Sequence, residues 1–220
     1  MLILIKPLRS FALAMMLGLV ATCALADSYN DALNAARHGR TQEIVSLLQR
    51  GVDPNAIDRQ NNSLLILAAR EGHPDTVKAL LAGGADPSYR NQAGDSALML
   101  ATLKGEQKLA EMLLEGGAEL DHHDGWNALH YAALSGQLDL LKKFVAHGAD
   151  VNALAPNGAN ALMLASRNGH IHIVRFLLAT DIDLYQQTDQ GQDAVAWALS
   201  RRNTDIADLI EQARLAKPRR

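Results

Sequence analysis

The chain has 220 residues, 48% apolar and 20% charged, with a formal net charge of −3. That is too apolar for a disordered chain and too acidic for a general phosphate-binding surface. The single cysteine, Cys23, lies in the extreme N-terminal segment, so a mature chain lacking that segment has no thiol for a disulfide, a thiolate metal site or a nucleophile.

Residues 1–26 read as a secretory signal. Lys6 and Arg9 supply positive charge, and residues 11–26 contain no charged side chain. A run of 16 residues is about 24 Å long as a helix, short of the ~30 Å of hydrocarbon that a span must cross. It ends Ala24-Leu25-Ala26, the small-x-small pattern of a signal peptidase site, which predicts cleavage after Ala26 and export to the bacterial periplasm. Two alternatives compete: an uncleaved anchor, helped by the apolar residues 2–5, and acylation at Cys23, where Thr22 stands in a position that a lipobox fills with Gly, Ala or Ser. Without Lys6 and Arg9 the chain carries 19 basic and 24 acidic residues, a net −5. No nucleic-acid partner is expected, nor a membrane after cleavage.

From there the sequence repeats. Glycines stand at 39, 72, 105, 136 and 169, with Arg202 in the next slot, at intervals of 33, 33, 31, 33 and 33 residues. Ahead of each slot comes a short apolar stretch opened by a good helix N-cap: Asn30, Ser63, Ser96, Asn127, Asn160 and Asp193. These short first helices are alanine-rich, which lets helix layers approach closely. Each slot is followed by a second helix with one apolar stripe, such as Val77, Leu80 and Leu81, or Ile173, Val174, Leu177 and Leu178. Two such helices cannot bury their stripes alone, so the units must stack. The second helices end at Gly51, Gly84, Gly117 and Gly148, where glycine closes a helix in the left-handed conformation. Asp181 stands at that place in the fifth unit, which predicts a local weak point.

These units resemble ankyrin repeats over residues 30–213. Asn127-Ala128-Leu129-His130-Tyr131-Ala132-Ala133 is similar to the family's Thr-Pro-Leu-His-x-Ala-Ala, and Asn168-Gly169-His170-Ile171-His172-Ile173-Val174 to its Gly-His-x-x-Ile-Val. The resemblance implies an all-α solenoid of about six helix-turn-helix units with β-turn fingers, at about 30–62, 63–95, 96–126, 127–159, 160–192 and 193–214, followed by a basic tail at 215–220. It also implies that His130 hydrogen-bonds backbone between adjacent fingers. In the other units Ile66, Met99 and Met163 replace that histidine, which predicts packing in place of polar bonds and a less stiff stack.

The 31-residue interval places a two-residue deletion in the finger between Gly117 and Asn127, beside His122, His123, Asp124 and Trp126. A shortened finger retracts from its row. Trp126 is then either an exposed binding hot spot beside the recess or a side chain folded back to cover the gap.

Phosphate loops, dinucleotide-binding turns, serine elbows and His-Glu-x-x-His motifs are all absent from the sequence. His38, His73, His147 and His170 have structural explanations at helix ends. The expected function is a non-catalytic, cofactor-free and metal-free module that holds a protein partner on its concave face, working as a monomer. By the family's usual contact positions the partner-binding residues are Arg59, Arg70, Arg90, Leu103, Lys104, His122, His123, Trp126, Leu134, Leu154, Asn157 and Arg167. The resemblance also admits an accessory or neutralising factor for one periplasmic enzyme, such as a catalase or a toxin. A rival reading is a metal carrier or enzyme built on His122, His123 and Asp124. The last helix, with Asp205, Asp208, Glu211 and Arg214 turned outward, is expected to cap the stack.

Overall fold

The computed structural model describes residues 27–121 and 125–217. Their regular elements are helices joined by turns and fingers. The first, α1, covers residues 27–37. After it come α2 (Thr41–Gln49), α3 (Leu64–Glu71), α4 (Pro74–Ala82), α5 (Ala97–Lys104), α6 (Gln107–Glu115), α7 (Ala128–Ser135), α8 (Leu138–Ala146), α9 (Ala161–Arg167), α10 (Ile171–Leu178), α11 (Ala194–Ser200) and α12 (Thr204–Ala216).

Odd-numbered helices form an inner layer and even-numbered ones an outer layer. The inner helices present alanine to their neighbours: Ala68, Ala69, Ala101, Ala132, Ala133, Ala165 and Ala198 are fully buried. They approach one another more closely than the outer helices do, which bends the stack toward its inner side. Leu47, Leu80, Leu113, Phe144, Leu177 and Ile210, one from each outer helix, continue the same core from one unit to the next.

Five of the six expected caps are in place. Ser63, Ser96, Asn127, Asn160 and Asp193 each accept a hydrogen bond from the backbone N–H three residues on. Asn30 is not a cap: the chain is already helical at residue 27, so Asn30 lies exposed inside α1. The glycine slots close the inner helices with φ between 65° and 79°, and Arg202 adopts φ 64° without the freedom of glycine. Asp181 corrects a second expectation. Only Asn61 and Arg202 are left-handed non-glycine residues among those described, so the fifth outer helix ends without the strained turn, its Ala179 and Thr180 N–H groups bonded to Phe176 and Leu177 carbonyls.

The C-terminal end departs most from expectation. Arg214 does not face outward with the acidic cap; its side chain is 12% exposed and its guanidinium turns in toward the Leu184 carbonyl and Asp193. The last helix also continues past residue 214 to Ala216.

Between the units, fingers replace the connecting loops, with antiparallel bridges Ile57–Ser63 and Arg90–Ser96 at the base of two of them. A ladder of side-chain caps joins finger to finger. Asp53 accepts from the Asn55 N–H, Asn55 accepts from Asp86 N–H, Asp86 from Ser88 N–H, and Ser88 from Glu119 N–H. It resumes as Asp121 to Asp150, Asp150 to Asn152, Asn152 to Asp183 and Asp183 to Tyr185. Each bond satisfies a loop N–H that would otherwise need water.

Candidate functional site

The repeat places equivalent residues in rows along the concave side. The last turn of each inner helix contributes Arg37, Arg70, Leu103, Leu134, Arg167 and Ser200 in register. Leu103 is 41% exposed and Leu134 half-buried against the core, so the middle of this row is apolar while arginines flank it on both sides. Lys104 is exposed beside Leu103.

The row is held from behind. The His73 ring bonds the Arg37 carbonyl at 2.9 Å, the His170 ring bonds the Leu134 carbonyl at 3.0 Å, and Asn203 donates to the Ser166 and Arg167 carbonyls. Each group belongs to the next unit, so backbone acceptors left over at one helix end are satisfied by its neighbour. The glycine slot makes this possible: a Cβ on Gly39 would stand 2.6 Å from the His73 ring, and one on Gly136 would stand 2.7 Å from the His170 ring.

The finger side has its own polar scaffold. Asp58 accepts from Gln60 and Asn62 N–H groups, from the Asn62 amide and from Arg37. Burial alone would raise the Asp58 pKa, but these donors outweigh it and hold it below the ordinary value. Asn91 caps the next finger in the same manner and ties it back to Asn62 at 2.9 Å. Arg90, half-buried, spans two fingers by donating to the Gly94 and Trp126 carbonyls at 2.9 and 3.0 Å.

At the shortened finger a notch of about 170 Å³ opens, lined by Ala93 and Gly94 of one finger, Gly125 and Trp126 of the short one, Pro156 of the next, and Tyr131. Trp126 is half-buried and packed against the core. Its ring meets His130 and Tyr131 edge-on at 5.9 and 5.5 Å between centroids, so it forms a wall of the notch while one side stays open. Tyr131 donates to Asp95 at 2.6 Å, and burial together with Asp95 pushes its phenol far above the ordinary range. His130 accepts from Asn127 N–H and reaches the Ala153 carbonyl at 3.0 Å; burial holds it below the ordinary histidine value. In the equivalent place Met99 offers only a sulfur, 3.4 Å from Ser96 N–H.

Of the residues singled out from sequence, Leu103, Lys104 and Leu134 fall together in the inner row, and Arg90 and Trp126 meet at the notch. Asn157 and Arg167 share a recess of about 440 Å³ with Trp197 and Arg201. Arg70 pairs with Glu71 at 3.3 Å, Arg59 lies at the first end with Tyr29 and Asp58, and Leu154 is 44% exposed on a finger. His122, His123 and Asp124 lie outside the described residues. Among the described residues no three His, Cys, Asp or Glu side chains converge on a metal position, and no helix is long and apolar enough to cross a membrane. Tyr131 and Trp197 also line these recesses and were missed. The signal was available in register: Tyr131 and Trp197 stand where Leu67, Leu100 and Leu164 stand in other units.

The ankyrin-repeat sequence pattern matches in three overlapping copies, over residues 32–124, 65–155 and 129–217. The chain belongs to the ankyrin-repeat family. Similar proteins include the protein phosphatase 1 regulatory subunit 27 of Mus musculus, 36% identical over 93 residues, which covers 41% of this chain and 56% of that protein. The NF-kappa-B inhibitor cactus of Drosophila melanogaster is 29% identical over 97 residues, 43% of this chain and 19% of the other. An L-asparaginase of Dirofilaria immitis is 31% identical over 83 residues, 38% of this chain and 14% of the other. This ankyrin-repeat chain thus spans between 14% and 56% of the length of these relatives. Among solved structures, a chain of the complex between the Bd0816 predatory endopeptidase and immunity protein Bd3460 of Bdellovibrio bacteriovorus superposes with a TM-score of 0.73 and 26% identity, covering 83% of this chain and 97% of that one.

Proposed function

We propose that the protein is a non-catalytic binding module, exported to the bacterial periplasm, that grips one protein partner on its concave face. Ankyrin repeats are protein-interaction modules, and the observation that carries the finer reading is the inner row. Exposed Leu103 and half-buried Leu134 sit between Arg70 and Arg167 on a surface that the finger ladder and the helix-end bonds keep fixed. An apolar centre with a polar rim is the composition of a protein interface, and a preordered surface loses little entropy on binding. Export is supported by the pattern of residues 1–26 and the small residues before Asp27.

A second reading, a factor that neutralises or protects one periplasmic enzyme, is favoured by the likeness to a chain of an endopeptidase–immunity protein complex along 97% of that chain's length. Both readings are tested by quantitative capture from periplasmic extract with the wild-type protein and a Leu103→Glu/Leu134→Glu variant. A partner retained by the wild type and lost by the folded variant supports the concave-face reading; identical sets retained by both refute it. If the partner is an enzyme whose turnover stops at one equivalent of this protein, the second reading holds.

A further inference from the structure

The recess at the C-terminal end of the concave face has an unusual balance of charge. It is about 440 Å³ in volume, and its lining includes the basic residues Arg167 and Arg201, the amide residues Asn157, Gln190 and Gln192, and Trp197. No carboxylate lines it. Arg37, Arg70 and Arg214 each have an acidic partner, whereas neither Arg167 nor Arg201 is within ion-pair distance of a carboxylate among the described residues. Both are exposed, in a chain whose net charge is −3.

Arg167 is also held in position. Its guanidinium carbon lies 5.3 Å from the Trp197 ring centroid. That indole is 8% exposed and anchored through its N–H to Gln192 at 3.2 Å. Stacking fixes the plane of a guanidinium while leaving its N–H edge free, which is the arrangement that receives a carboxylate through two parallel hydrogen bonds. Helix polarity decides between anions. Arg167 ends α9 and Arg201 caps α11 at its C-terminus, so the negative helix ends face this region. They disfavour a multiply charged phosphate more than a single carboxylate.

We infer that this recess receives an aspartate or glutamate side chain from an acidic segment of the protein partner. The inference rests on the interaction reading above and adds the chemistry of the partner. The flanking amides complete the site by donating to the carboxylate oxygen that the guanidiniums leave uncovered.

The test follows the indole N–H signals of the full chain by nuclear magnetic resonance while a blocked tetraglutamate peptide is added. The chain has two tryptophans, so one Trp126→Phe spectrum assigns Trp197. A saturable shift of the Trp197 signal is expected, weakening with salt, together with a loss of about tenfold or more in affinity in Arg167→Gln/Arg201→Gln. Lys142→Gln, which alters an exposed charge on the outer helix α8, should leave binding unchanged. The inference is overturned if the Trp197 signal does not move, if tetraglutamine moves it equally, or if Lys142→Gln weakens binding as much as the double variant. Inorganic phosphate binding more tightly than the peptide at equal ionic strength also overturns it. A partner that crosslinks to the concave face yet binds the double variant as tightly as wild type removes this inference and leaves the interaction module standing.

Discussion

Arg214→Ala should detach the last unit from the stack. The guanidinium donates to the Leu184 carbonyl from Nη2 at 2.7 Å and from Nε at 3.2 Å, to Asp193 at 2.8 Å and to Glu211 at 3.1 Å, and it lies 5.0 Å from the Tyr185 ring centroid. The Glu211 pair is 54% exposed on its acidic side and contributes next to nothing. Leu184 is 5% exposed, so loss of a charged donor from its carbonyl costs about 1–2 kcal/mol. Freeing Asp193, 24% exposed, costs roughly 1 kcal/mol after water re-enters. The lost stacking adds about 0.5–1 kcal/mol. Together these come to roughly 3 kcal/mol, a factor of over 100 in a local opening equilibrium. Because a stack unfolds locally, the loss should appear in α11 and α12 and leave α3 and α5 protected. Helix-resolved amide exchange with urea unfolding measures this, and Arg214→Lys should recover less than half of the loss because an ammonium lacks the two-pronged grip. A change below about 0.5 kcal/mol, or exchange accelerated evenly along the chain, would refute the clamp.

Other consequences follow from the same contacts. Trp126→Ala should cost about 2 kcal/mol of stability through two lost ring pairs and also weaken partner binding, since the ring both packs and lines the notch; an unchanged melting temperature would return it to a purely exposed role. His130, held low by burial, binds fewer protons folded than unfolded. Its contribution is therefore whole above about pH 6.5 and is lost as the pH falls toward its lowered folded value. His130→Gln should flatten the melting temperature over that window, and an unaltered slope would contradict the burial. Burial would raise the Asp193 pKa, but the Ala196 N–H and Arg214 outweigh it and lower it, so its contribution is complete above about pH 3.9 and disappears as the pH falls through the folded value. In Arg214→Ala that acid loss should shrink. Arg202→Gly should raise stability by about 0.5 kcal/mol, because the strain of φ 64° exceeds the chain entropy that glycine adds; a destabilised variant would show that the Arg202 side chain supports the turn.

The architecture was legible because it is written in spacing. Slots at nearly equal intervals and hydroxyl, amide or carboxyl caps nine residues ahead of each slot specify helix pairs residue by residue, and five of six caps make the expected bonds. Asn30 failed because a good capping side chain does not stop a helix that starts earlier. The two-residue deletion drew attention to Trp126, yet the bond that closes the notch beside it, from Tyr131 to Asp95, joins residues 36 apart that meet only through stacking. The finger ladder was overlooked, although its Asp-x-Asn and Asp-x-Ser spacing at Asp53, Asp86 and Asp150 is plain once the acceptor role is known. Arg214 read as an outward charge because a terminal basic residue usually is one. Only the turn of α12 toward the uncovered Leu184 carbonyl gives it an inward target.

The claim that matters most is that the concave row meets a protein partner. A photoreactive residue placed at position 103, and in a second protein at exposed Lys108 on the outer helix α6, tests it directly in living cells. One discrete crosslinked species is expected from position 103 and none from position 108. Crosslinking from position 108 alone, or from neither position while the protein is abundant, would contradict it.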